Sequence, residues 1–207
     1  MITALEAIES LREGNQRFLV EDPHRHTLNS RTHCPTMAAD QQPFAIVLGC
    51  SDSRVVPEII FDQGLGDLFV IRVAGNVADP TQVGSIEFAA QYFGTRLAVV
   101  LGHTGCGAVI GTLELLQGRM ETPSSNLNSI LDSIGATVSP LLETDLRNQP
   151  EELLNQACRA NIVAEANRLR HGSPVLMQMI EEGKLLVVGA EYSLETGIVE
   201  FFDGMPG

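Results

Sequence analysis

Four short aliphatic runs constrain the fold of this 207-residue chain more than any other feature: FAIVLG (44–49), LFVIRVA (68–74), LAVVLG (97–102) and LLVVGA (185–190). Continuous apolar runs of this length suit strands buried on both faces, as in a parallel sheet covered by helices. Between them the spacing predicts helices. Ile86, Ala89, Ala90 and Phe93 share one side of 84–93, and Leu127, Ile130, Leu131, Ile134 and Leu141 share one side of 127–142. GAVIGTLELL opens a further helix after Cys106, and another is expected over about 150–170. From Thr104 to Gly183 no strand is expected, and GIVEFFDG supplies a short edge strand after the last run. The expected class is α/β, a central, mainly parallel β-sheet of four strands plus a short edge strand, flanked by helices.

The N-terminus reads as an amphipathic helix with Leu5, Ile8, Leu11 and Phe18 on one stripe, and Thr3 with Glu6 matches a capping box. A polar stretch from Glu21 to Gln42 has no periodicity and is expected to be an extended connection or an arm. Apolar residues make up 44% of the chain, enough for one sizeable core. The expected organisation is a single domain over 1–207, divided into an N-terminal helical arm (1–42) and an α/β core (43–207).

A formal charge of −13 repels phosphate backbones and anionic lipid, so neither nucleic acid nor membrane is an expected partner. The start MITALEAIES lacks the pattern of an export signal, and no stretch has the roughly 20 apolar residues of a membrane span. A complete cytoplasmic protein is expected. Cys34, Cys50, Cys106 and Cys158 are too few and too scattered for a disulfide scaffold. Each is therefore a small buried hydrophobe, a metal ligand or a nucleophile.

Ligands in open parallel sheets bind at the carboxyl ends of the strands. One run delivers CSDSR (50–54) there and another delivers HTGC (103–106). If those strands are neighbours, Cys50, His103 and Cys106 converge, a donor set that suits zinc. Gly105 and Gly107 relieve a sharp turn, and the following helix end favours a Cys106 thiolate. In an extended segment Cys50, Asp52 and Arg54 would form one row facing the metal. Asp52 is then either a fourth ligand or a partner for bound water, and Arg54 decides between the two. GCGAVIG does not match a dinucleotide loop, and no phosphate-binding G-x-x-x-x-G-K-[ST] occurs.

CSDSR followed about fifty residues later by HTGC resembles the zinc signature of the β-class carbonic anhydrases. FDQGLGDLFVIRVAGNV (61–77), GSIEFA (84–89) and VVLGHTGCGAV (99–109) resemble that family's core, and GNQRF (14–18) resembles its N-terminal arm. The resemblance implies one Zn2+ per chain on Cys50, His103 and Cys106, with Asp52 and Arg54 as the catalytic pair and Asp52 as a possible fourth ligand. It implies substrate contacts from Gln41, Phe69, Phe88 and Gly107, with Phe88 standing where several members have tyrosine. It further implies a homodimer or homotetramer whose arm wraps a partner and whose cleft lies at the interface. The implied activity is reversible hydration of CO2 to bicarbonate and a proton, by attack of zinc-bound hydroxide. The alternatives are a related hydrolase of carbon disulfide or carbonyl sulfide, and a closed structural zinc module.

Two thiolates and one imidazole leave zinc with a formal charge near zero, so activity is expected to rise toward alkaline pH. The chain has no Trp, so the bicarbonate-regulated site of some members cannot be built as it is there. His24, His26, His33 and His171 are expected at the surface, and none is singled out as a proton shuttle.

Overall fold

The structure, a computed structural model, describes residues 2–20, 41–121 and 124–206. Five strands, β1 (Ala45–Cys50), β2 (Leu68–Val73), β3 (Leu97–His103), β4 (Leu186–Tyr192) and β5 (Val199–Asp203), form one sheet in the order β2-β1-β3-β4-β5. The first four pair in parallel, and β5 runs antiparallel to β4 along one edge. Every residue of β1 and β3 is buried. That is the condition the unbroken aliphatic runs encode.

The pleat sends alternate residues to opposite faces. Ala45, Val47, Leu97, Val99 and Leu101 pack on one side with α1 (Ala4–Leu19), while Ile46, Leu48, Ala98 and Val100 pack on the other. The second face is covered by α3 (Pro80–Tyr92), α6 (Pro150–Gly172) and α7 (Pro174–Glu181). The remaining helices among the described residues are α2 (Pro57–Ile60), α4 (Gly107–Leu116) and α5 (Ser125–Val138). None of the described helices is long and apolar enough to cross a membrane.

Several boundaries differ from expectation for local reasons. The helix expected to 142 ends at Val138, and Pro140 sits in a 3₁₀ segment, Ser139–Glu143. α3 starts a turn earlier than 84 because Pro80 favours a first helical position. α7 falls in the stretch up to Gly183 where only helices are expected, though it is not singled out there; Ser173 caps it by accepting from the Leu176 amide and Pro174 opens it.

The N-terminal helix docks on its own domain. Its capping box at Thr3 and Glu6 is formed, and Ala7, Ile8 and Leu11 enter the core. Buried Asn15 donates to the carbonyls of Ile60 (3.2 Å) and Gly197 (2.9 Å) and accepts from Val199 N at 2.9 Å. Arg17 Nε meets Asp62 at 2.8 Å. The GNQRF segment thus ties α1 to α2 and to the β5 edge. Gly14 permits this, because a Cβ there would sit 1.8 Å from the Phe61 carbonyl oxygen. Gly14→Ala is expected to cost about 3 kcal/mol or more and to lower Tm by about 10 °C. An unchanged Tm in a thermal melt would contradict this docking. Residues 21–40, most of the expected connection or arm, lie outside the described residues and include Cys34, His24, His26 and His33.

Candidate metal centre

β1 leads outward to β2 on one side, while β3 lies on its other side, so the order of strand addition reverses between β1 and β3, which remain parallel. A crevice opens at the carboxyl ends of strands flanking such a point. Cys50 ends β1 and His103 ends β3. Gly105 then turns the chain with φ of +64°, and Cys106 becomes the cap residue before α4. Thr104 fastens this turn, its amide donating to Tyr192 O at 3.0 Å and its hydroxyl accepting from Leu194 N at 3.0 Å.

Cys50, His103 and Cys106 are all buried, and their ligand atoms lie within 4.8 Å of one another, a cluster able to hold a metal ion. The two sulfurs are 4.0 Å apart. Sulfurs bound tetrahedrally to one zinc at about 2.3 Å would be separated by about 3.8 Å, whereas a disulfide needs about 2.05 Å. His103 Nδ1 lies 2.9 Å from Thr104 O, which fixes it as the protonated nitrogen. Nε2 is then a buried lone pair without a hydrogen-bond partner. An orphaned imidazole nitrogen beside two sulfurs fits a cation.

The electrostatics agree. The hydrogen bond shared with Cys106, with further support from His103 and the backbones of Asp52 and Gly75, outweighs burial and draws the Cys50 thiol well below its ordinary value. Cys106 is pushed upward by its bond to Cys50 and by burial. Without a cation the pair holds one thiolate and one thiol, and a bound cation would favour loss of the second proton. The Ala108 and Val109 amides do favour a Cys106 thiolate but are outweighed. For His103, burial opposes protonation while the Cys50 contact favours it, with a net upward shift.

The residues after β1 do not form an extended row. Val55 N donates to Asp52 O at 3.0 Å, closing a turn, and Arg54 N donates to Asp52 Oδ1 at 3.0 Å. Asp and Asn favour such self-bonded turns. The turn brings the side chains together as a fork: Arg54 Nε to Oδ1 at 2.9 Å and Nη2 to Oδ2 at 2.7 Å. That contact holds the Asp52 carboxyl well below the usual carboxylate range. Asp52 Oδ2 stands 3.9 Å from His103 Nε2. Arg72, not anticipated from the sequence, donates to the carbonyls of Cys50 (3.0 Å) and Asp52 (2.6 Å) and holds this loop.

Gly107 is exposed at the start of α4, next to Cys106. Gln41, Phe69 and Phe88 are not brought to this cluster within the chain. Phe69 pairs with Ile46 near the start of β1, and the Phe88 ring lies 6.4 Å from the Phe69 ring. Gln41 precedes β1 and lines a cavity of about 630 Å³ with Phe44, Tyr92 and Phe93. His171 is exposed near the end of α6.

The family model for carbonic anhydrases matches residues 45–199. Carbonic anhydrase 2 of Mycobacterium tuberculosis is 37% identical over 191 residues, covering 92% of this chain and 89% of the relative. The carbonic anhydrase of Mycolicibacterium smegmatis is 36% identical over 194 residues, covering 94% and 91%. Among solved structures, the β-carbonic anhydrase CcaA superposes with a TM-score of 0.74 at 27% identity, covering 97% of this chain and 93% of that one. A tetrameric β-carbonic anhydrase of Sordaria macrospora gives 0.73 at 25% identity, covering 83% and 87%. The chain belongs to the β-class carbonic anhydrases.

Proposed function

We propose that the chain holds one zinc ion on Cys50, His103 and Cys106 and catalyses the reversible hydration of CO2 to bicarbonate and a proton. The observation that carries this reading is the partnerless, buried Nε2 of His103 beside two sulfurs, with the Asp52–Arg54 pair 3.9 Å away. When bound, zinc supplies a Lewis acid that lowers the pKa of water to about 7 with neutral ligands, and less far with two thiolates.

Asp52 accepts a hydrogen bond from the attacking water and so turns the lone pair of the water oxygen toward the carbon of CO2. Arg54 holds both carboxylate oxygens, which favours this role over that of a fourth ligand. A purely structural site has no need of such a pair. Gly107, exposed beside Cys106, borders the space where substrate would sit.

Gln41, Phe69 and Phe88 serve the cleft of a neighbouring copy in a homodimer or homotetramer. Supporting this, β2 is an edge strand among the described residues, and exposed Phe88 and Tyr92 stack beside it with centroids 4.6 Å apart. Stacked aromatics at a surface favour a protein partner.

The hydration rate is expected to rise between about pH 7 and pH 9. Asp52 stays ionised through this window, since Arg54 depresses its pKa, so it contributes no titration there. Stopped-flow measurement across this range checks the reading, and a flat profile contradicts it.

A further inference from the structure

We infer that one face of α6 is the positioning template for the metal centre, with Asn161 and Glu165 setting the hydrogen bond that the Gly75 amide gives to the Cys50 sulfur. The inference rests on the zinc reading above.

The contact begins in the turn after β2. Gly75 N donates to Cys50 Sγ at 3.4 Å. To present that amide, the chain passes through two consecutive left-handed residues, Gly75 at φ +69° and Asn76 at φ +47°. That conformation is uncommon for a residue other than glycine and persists where surroundings enforce it. Glycine suits the left-handed φ at Gly75, and a Cβ there would come within 2.6 Å of Ile134 Cδ1 and 3.1 Å of Ala108 Cβ.

α6 does the enforcing. Asn161 Nδ2 donates to Gly75 O at 2.8 Å, and one turn later Glu165 Oε2 accepts from Ala78 N at 2.8 Å. Both side chains are buried. They grip the turn on either side of Asn76. The same face reaches the other ligand-bearing peptide: Ile162 lies against Gly102, where a Cβ would be 2.4 Å from its Cγ1, and the Cys158 sulfur faces the backbones of Cys106 and Gly105. Cys158, Asn161, Ile162 and Glu165 recur at helical spacing, so one rigid element backs both halves of the donor set. Glu165 is costly to bury: Arg168 approaches its Oε2 at 3.4 Å, but its Oε1 has no partner, nor do Asn161 Oδ1 and Asn76 Nδ2. Packing alone would be met more cheaply by apolar residues.

A bond from a backbone amide to a ligand sulfur orients it and tempers its basicity, and disturbing such outer contacts typically changes metal retention by 10- to 100-fold. The test compares the zinc-loaded wild type with Glu165→Met, which removes the acceptor for Ala78 N, Glu165→Gln, which keeps it, and Asn161→Ser, which removes the donor to Gly75 O. The readouts are the rate of zinc transfer to a chelator and the sulfur-to-cobalt charge-transfer band of the cobalt-substituted proteins. Glu165→Met and Asn161→Ser are expected to release zinc about 10-fold faster or more and to shift the band, with Glu165→Gln close to wild type. Folded variants with wild-type release and an unchanged band would overturn the inference. Should Glu165→Met fail to fold, Asn161→Ser decides alone. A wild type that binds neither metal would defeat the zinc reading itself, an outcome distinct from unaltered variants.

Discussion

Cys106→Ser is expected to abolish stoichiometric zinc and to lower CO2 hydration by on the order of 10³-fold or more. The sulfur of Cys106 is buried 4.0 Å from that of Cys50 and stands at the cap of α4. A serine oxygen is shorter, harder and not deprotonated near neutrality, so the site keeps one thiolate and one imidazole, too few to retain the ion. The fold should survive, because serine is smaller than cysteine and the turn depends on Thr104 and Gly105 rather than on the sulfur. Metal analysis with stopped-flow assay checks both parts. Wild-type zinc in a folded Cys106→Ser protein would show that the ion sits elsewhere.

Removing the Asp52–Arg54 fork is expected to produce the opposite combination, zinc retained and rate lost. Arg54→Ala and Asp52→Asn should each lower kcat/KM by about 10²-fold, the scale of a lost positioning contact. In Asp52→Asn the remaining oxygen cannot serve as a carboxylate, and in Arg54→Ala the carboxylate loses both forked bonds and is free to turn toward the metal. The competing account is an ordinary surface ion pair: the Arg54 side chain is 60% exposed, and such pairs contribute about 0–1 kcal/mol to stability and nothing to rate. Steady-state kinetics with metal analysis separates the two. An Arg54→Ala enzyme with unchanged kcat/KM supports the surface pair.

The sheet was legible because its signal is local and strong. Each aliphatic run is long enough to demand burial on both faces, and all four became strands at nearly the expected limits. The donor set was legible for a related reason: Cys50 and His103 end adjacent strands, so sequence position converts directly into spatial position. Asp52 and Arg54 were found for a partly mistaken reason. Extended geometry placed them on one side, but the contact comes from the Asp52 turn, closed by a side-chain bond to the Arg54 amide.

What escaped the sequence depends on long-range partners. Asn15 reads as a polar interruption in a helix, and only its bonds to residues 60, 197 and 199 reveal it as a core anchor. Arg72 sits inside a strand, and nothing local shows that it holds the loop after β1. Asn161 and Glu165 look like the solvent face of a long helix, yet both are buried against the turn at residues 74–78. The signal available was modest: Gly102, packed against Ile162 of the same helix, marks a close approach. α7 carried a stronger cue, since a serine followed by proline before an apolar stretch is a helix start.

On the reading proposed above, Cys50, His103 and Cys106 hold a zinc ion that makes this chain a CO2 hydratase. The most direct test is a zinc titration of the metal-free protein followed by stopped-flow hydration at alkaline pH. The expected result is a rate that climbs linearly and breaks at one zinc per chain. Zinc bound at one per chain with hydration no faster than in buffer alone would contradict it.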